Sequence, residues 1–158
     1  MTEEEKNFAI KINLDKAKKK TVIPIVLIII SLLTYIMPLL LGEFDFGIFF
    51  EIISLVFLII SRTYMSKYDV DKSKRYIICS MLSIGWILIY DIMYFIFSIQ
   101  SSIDFIFMGY EFFWTEMLSI LYLFFLFVIE RDIAKADNPV KYKESTDWFY
   151  EKYDENEK

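Results

Sequence analysis

The sequence contains no histidine and a single cysteine, Cys79. An intramolecular disulfide needs two cysteines, and a zinc site needs several cysteine or histidine ligands. A Ser-His-Asp triad needs a histidine as its general base. The composition therefore argues against disulfide, zinc and triad chemistry, and we expect no metal and no cofactor.

Positive charge is missing from two long regions, because Lys and Arg are absent from residues 21–61 and 76–130. The 17 basic residues fall into three groups, which precede residue 21, lie between 62 and 75, and follow residue 130. Cytoplasmic flanks of membrane helices collect Lys and Arg, whereas short translocated loops avoid them. We therefore expect both termini and the 62–75 loop on the cytoplasmic side. Compact loops and richness in Ile, Phe and Lys indicate a bacterial cell membrane.

Long apolar stretches fill the regions that lack basic residues. Hydrophobic residues make up 56% of the chain and aromatic residues 19%, which is too apolar for a soluble protein of 158 residues. Four stretches are long enough to cross a bilayer as helices: 21–41, 46–61, 76–98 and 104–129. Core helices of a soluble protein would be shorter and show a wide polar face. The sequence thus predicts an all-α, multi-pass integral membrane protein with four transmembrane helices.

The connections predict how these helices are arranged. The two outer connections, GEFDFG and IQSSID, are so short that the helices must form two antiparallel hairpins, joined by a longer inner loop into a compact four-helix bundle. Residues 1–20 form a charged cytoplasmic segment, and residues 130–158 a cytoplasmic tail with a short aromatic patch. Asp71 or Ser73 is expected to cap the third transmembrane helix, and Asn138 to cap a helix that begins at Pro139.

Four acidic residues interrupt the apolar stretches: Glu51, Asp91, Glu111 and Glu116. Counted inward at about 1.5 Å per residue, Tyr35, Glu51, Asp91 and Glu111 lie roughly 7 to 11 Å below the outer surface, with Glu116 near the midplane. All four helices therefore contribute to one polar layer. This convergence is the main functional signal in the sequence.

A carboxyl group at such a depth costs a few kcal/mol, so it must take a proton, share one or bind a cation. Nearby aromatic rings would add cation-π attraction for an organic ammonium group. We therefore expect binding or transport of a cation, proton or cationic small molecule at an outward-facing carboxylate and aromatic pocket. The candidate ligand-binding residues are Glu51, Asp91, Glu111, Glu116, Tyr35, Tyr90, Tyr94 and Trp114.

Three alternatives remain open at this point. The acids could be protonated and serve only as hydrogen-bonded links between helices. The chain could be a non-catalytic accessory, regulatory or immunity subunit that packs against another membrane protein. Asp91 and Glu111 could form a catalytic dyad, although we expect no enzyme. The expected partners are the lipid bilayer, a cation, and either a second copy or a larger membrane complex, with no nucleic acid.

Overall fold

The structure is a computed structural model that describes residues 2–36, 40, 42, 46–99 and 105–141, with the side chains of all of these except 94, 95, 97–99 and 105–115. This part of the chain is all helical and contains no strand. The helices, in chain order, are α1 (Glu3–Lys20), α2 (Val22–Thr34), α3 (Gly47–Ser66), α4 (Val70–Ile99) and α5 (Phe105–Asp137).

Each predicted span contains a helix, but the helices do not stop where the apolar stretches stop. The charged segment before residue 21 is itself the helix α1. At their charged ends α3, α4 and α5 continue through residues 62–66, 70–75 and 130–137. Hydropathy shows where a helix is apolar, whereas helical hydrogen bonding continues until Gly, Pro or a cap interrupts it. None of these three segments contains Gly or Pro.

Pro24 explains why α1 and α2 are separate helices that follow almost directly on one another. Proline lacks a backbone N–H, and its ring clashes with the carbonyl group four residues earlier, which here belongs to Lys20. Thr21 lies at the junction with helical angles, and its N–H still bonds to the carbonyl of Ala17 at 3.2 Å. The junction is therefore a local break in one nearly continuous rod.

The helices form a ring around a common core. The rod of α1 and α2 packs against α5 and α3, and α4 packs against the other sides of α3 and α5. α3 and α5 therefore face each other across the core. Adjacent helices are antiparallel, because Ser54 and Ser61 of α3 pair with Ser80 and Ser73 of α4, respectively.

The turn between α3 and α4 is closed by local hydrogen bonds. Tyr68 adopts a left-handed conformation (φ 57°), and the N–H of Asp69 bonds back to the carbonyl of Tyr64 at 3.1 Å. The Asp69 carboxylate then accepts the Lys72 N–H at 3.0 Å, so Asp69 caps α4, and the prediction of Asp71 or Ser73 was wrong. This bond, with the Lys72 ammonium nearby, holds the pKa of Asp69 below its usual value. Asn138 does cap the residues after α5, accepting from Lys141 N–H at 3.4 Å.

Polar side chains lie among apolar ones inside this bundle, and many large apolar side chains lie on its outside. Ser54, Ser61 and Ser80 are fully buried, whereas Leu82, Trp86 and many Ile and Phe side chains are 40% exposed or more. Among the described residues, two helical segments are long and apolar enough to cross a membrane, Gly47–Ser66 and Val70–Met93. The described part of α2 has 13 residues, fewer than the roughly 20 needed to cross alone.

The close contact between Ser54 and Ser80 predicts a large effect of one substitution. Ser80 is buried at the α3–α4 crossing, where its hydroxyl lies 2.7 Å from that of Ser54. A leucine there has no room and should lower the unfolding free energy by about 1–3 kcal/mol through overpacking, with a further loss of hydrogen bonds.

The matched control is Ser83→Leu, because Ser83 is half-buried and its hydroxyl donates only within its own helix, to Cys79 at 2.9 Å. Thermal unfolding in detergent should show a much lower midpoint for Ser80→Leu than for Ser83→Leu. Equal midpoints for the two variants would contradict the close α3–α4 contact.

Candidate functional site

Along the described side chains of α5, the buried face changes from polar to apolar. Its positions are Glu116, Ser119 and Tyr122, and then Leu126, Ile129, Ile133 and Ala136, with the buried Asp132 beside them at the charged end. Spacings of three and four residues place the first seven on one face of the helix. On α3 the buried Glu51 and Ser54 are likewise followed by the buried Leu58, before Ser61 near the charged end. The polar halves of the two helices face each other across the core.

Asp91 and Glu116 form a carboxyl pair between α4 and α5. Their side chains lie within hydrogen-bonding reach of each other. Glu116 is 7% exposed, and its Oε1 receives no hydrogen bond from the residues that the structure describes. Two carboxyl groups in such contact repel each other when both are ionised, so ionisation of one disfavours ionisation of the other.

Glu51 lies deeper in the bundle, where α2 meets α3. It is 1% exposed, and the Ser31 hydroxyl donates to its Oε1 at 2.7 Å. A cavity of about 10 Å³ adjoins this contact, roughly the space needed for one water molecule. Its polar lining comes from Ser31, Glu51, Ser119 and Tyr122, and its apolar lining from Leu27, Ile28, Ile84 and Leu118.

Three hydroxyl groups close the inner end of the polar region. Ser54, Ser80 and Tyr122 lie within 3.0 Å of one another, and each serine hydroxyl also reaches the other serine's carbonyl at 3.0 Å. Burial raises the energetic penalty for any unmade hydrogen bond, so these mutual contacts satisfy the three groups together.

An apolar layer separates this hydroxyl cluster from the charged end of the bundle. Leu58, Ile77 and Leu126 are fully buried within one hydrophobic cluster. Beyond them Ser61 bonds to the Ser73 carbonyl at 2.7 Å, and Arg62 donates to the Thr21 hydroxyl and to the Lys18 carbonyl. The polar region is therefore sealed from the charged end by hydrocarbon.

The charged end pairs its acids with bases. The side chain of Asp132 is 4% exposed and lies 2.5 Å from the Lys20 ammonium and 4.0 Å from that of Lys135. Lys74 and Asp137 form a second pair at 2.7 Å. The acids within the apolar stretches have no basic residue near them in sequence, since no Lys or Arg occurs in residues 21–61 or 76–130.

The structure brings three of the predicted site residues into the polar region, but at two levels rather than in one layer. Ser54 lies opposite Ser80, so the antiparallel register places Asp91 about 12 Å beyond the level of Glu51. Asp91 instead meets Glu116, which the sequence placed deeper. The depth count failed because it assumed that the outer ends of all helices lie at one level, whereas the register places the start of α3, Gly47, opposite Ile87 within α4.

The remaining predicted site residues are not brought to this region by the described structure. Tyr35 lies at the end of α2 and is half-buried. Tyr90 is 50% exposed, on the outer side of α4. The side chains of Tyr94, Glu111 and Trp114 lie outside the described residues, so the dyad of Asp91 and Glu111 stays a hypothesis.

Sequence reasoning did not include Ser119 and Tyr122 in the site, although their spacing from Glu116 places them on the same face of α5. It also missed Arg62 and Asp132, whose partners are distant in sequence. In the described part of the chain, no group of three or more Cys, Asp or Glu side chains gathers closely enough to hold a metal ion.

Comparison with known proteins gave no family to which the chain could be assigned. No protein-family model matches it, and neither a curated protein nor a solved structure shows significant similarity. The geometry alone defines an all-helical chain in which two helical segments are long and apolar enough to cross a membrane.

The contact between Ser31 and Glu51 predicts a specific loss of stability. Ser31→Ala removes a donor from a buried carboxyl oxygen, which should lower the unfolding free energy by about 1–3 kcal/mol. Thr34→Ala is the matched control, because Thr34 is exposed and its hydroxyl bonds only to its own helix, at the Ser31 carbonyl.

Denaturation of both variants in the same detergent checks this prediction. Ser31→Ala should unfold earlier than the wild type, while Thr34→Ala should remain within about 0.5 kcal/mol of it. If the two variants unfold alike, the serine does not stabilise Glu51.

Proposed function

We propose that this chain is a four-helix membrane protein that binds a cation, including a proton, at the carboxyl pair of Asp91 and Glu116. Its α1–α2 rod, α3, α4 and α5 each contribute one span, and both termini lie on the cytoplasmic side. The distribution of side chains supports this topology, because the outer face carries many large apolar side chains while serine hydroxyl and carboxyl groups are buried. In the described part of the chain, the paired charged residues lie at the end assigned to the cytoplasmic side.

The observation that carries the proposal is a pair of acids, of which Glu116 is buried, in stretches of sequence without Lys or Arg. A soluble core would place Lys or Arg beside such a pair, as the charged end does for Asp132. Here no basic residue occurs in any of the four apolar stretches. A bound proton or cation would supply the missing positive charge, and the low dielectric would strengthen its attraction to the carboxyl oxygens.

The free oxygen of Glu116 supports a role in binding. Carboxyl groups that only link helices should have all their oxygen atoms satisfied by neighbouring donors. Glu116 Oε1 is buried and receives no such donor among the described residues. An oxygen held in this state can accept a proton or coordinate a cation without first breaking a contact.

The experiment measures thermal stability of the detergent-purified, full-length protein with inorganic and organic monovalent cations across a range of pH. A ligand that binds only the native state raises the unfolding midpoint by mass action, by about 2.7 kcal/mol at a hundred times its dissociation constant. Asp91→Asn and Glu116→Gln should each abolish the stabilisation by cations or its dependence on pH.

Asp71→Asn is the matched control, since it makes the same substitution on the same helix at an exposed position outside the pair. Asp71→Asn should be stabilised by cations, and depend on pH, to the same extent as the wild type. If neither cations nor pH distinguish Asp91→Asn and Glu116→Gln from the wild type, the pair is a structural link and the cation-binding proposal is wrong. That result would favour the accessory-subunit alternative.

A further inference from the structure

The cavity beside Glu51 indicates which class of cation the protein binds. This inference rests on the proposed function of the Asp91 and Glu116 pair. We propose that the site exchanges protons, that the cavity holds one water molecule, and that Glu51 is a second proton-binding carboxyl reached through it. Protons would move along a path between the carboxyl pair, at its outer end, and Glu51, at its inner end.

The size of the cavity favours a proton over an organic cation. At about 10 Å³ it has the space for a single water molecule and none for an ammonium compound. A buried water needs two to four polar partners. The lining provides Glu51, Ser31, Ser119 and Tyr122, so such a water would be bonded on several sides.

The spacing along α5 connects the two carboxyl sites. Ser119 lines the cavity and follows Glu116 by three residues, which is a rise of about 4.5 Å on the same helix face. A proton leaving one carboxyl oxygen of the pair can pass along the Ser119 hydroxyl and the water to a Glu51 oxygen. Each carrier accepts one proton as it gives up another, and no other bond is broken.

The path ends inside the protein. Tyr122 joins the cavity to the hydroxyls of Ser54 and Ser80, and the layer of Leu58, Ile77 and Leu126 follows directly. A hydrocarbon layer offers no hydrogen-bonding groups for a proton to follow. In this conformation protons can therefore enter or leave only from the end at which Asp91 and Glu116 lie.

Titratable groups near Glu51 enter its charge balance. Among the described side chains they are Tyr122, which lines the same cavity, and Glu116, which lies three residues before Ser119 on the same face of α5. Both are acids, so ionisation of either one disfavours ionisation of Glu51. This coupling favours at least one bound proton in the cluster and makes its exchange depend on every member.

Infrared spectroscopy of the full-length protein in lipid vesicles tests the proposal. The carboxyl stretching bands of protonated acids are followed after ordinary water is replaced by heavy water. Glu51→Gln should remove one of these bands, and Asp91→Asn should change a different one. Loss of no band in Glu51→Gln would show that Glu51 holds no proton, and the inference would be wrong while the function of the pair could stand.

A cavity-filling variant tests the water. Ser119→Val places carbon in the cavity and should slow deuterium exchange at Glu51 by about a hundredfold, the lower end of what a positioned proton carrier contributes. Ser83→Val is the matched control, because Ser83 is half-buried and away from the cavity, and it should exchange at the wild-type rate. Unchanged exchange in Ser119→Val would rule out this path.

The cation panel separates the outcomes further. If sodium or lithium raises the unfolding midpoint and Glu51→Gln removes that effect, the cavity binds a metal ion and not a water, which overturns the proton assignment. If an organic cation stabilises the protein through Asp91 and Glu116, the proposed function holds but the proton assignment fails. If cations and pH affect Asp91→Asn and Glu116→Gln as they affect the wild type, the proposed function itself fails.

Discussion

The need to satisfy buried oxygen atoms inside an apolar shell determines most of this structure. Hydroxyl and carboxyl groups lie in the core, while Ile, Leu, Phe and Trp side chains cover the outside. In such an interior each unpaired polar group is costly, so the polar stripes of the helices must meet one another. Ser31 meets Glu51, and Ser54 meets Ser80 and Tyr122, and these contacts set how the helices are rotated and paired.

The two ends of the bundle satisfy their carboxyl groups in different ways. At the charged end Asp132 is held by Lys20, and Arg62 fixes the junction of α1 with α2. At the other end Asp91 and Glu116 lie against each other, in stretches of sequence that contain no Lys or Arg. The layer of Leu58, Ile77 and Leu126 separates them from the lysines of the charged end. The proposed function assigns the balancing positive charge to a proton or cation from outside the chain.

Much of the architecture could be predicted from periodicity and charge. Acids within apolar stretches predicted a polar layer between the helices, and short connections predicted antiparallel pairs, such as α4 with α5. The cytoplasmic-side ends of the helices could not be predicted from hydropathy, because α5 continues through charged residues to Asp137. These charged residues include no Gly or Pro that would interrupt the helix, and hydropathy does not report this.

The composition of the site was predicted only in part, because it depends on how the helices are placed against one another. The acids were visible as charges in apolar stretches, but their partners depend on the register between helices. Asp91 meets Glu116 at the register that α4 and α5 adopt, and no local pattern in either helix specifies that register. A shift of one turn moves a side chain about 5 Å, which is enough to exchange one partner for another.

The central claim is that this polar core lies across a membrane with the acid pair toward the outer side. Thiol labelling by a reagent that cannot cross membranes tests it most directly, in a Cys79→Ala background that removes the only native thiol. Single cysteines at Glu43 and Ser102 should label in intact cells, whereas cysteines at Lys16 and Asp71 should label only after the membrane is opened. Labelling of all four positions in intact cells, or the reverse pattern, would contradict the account.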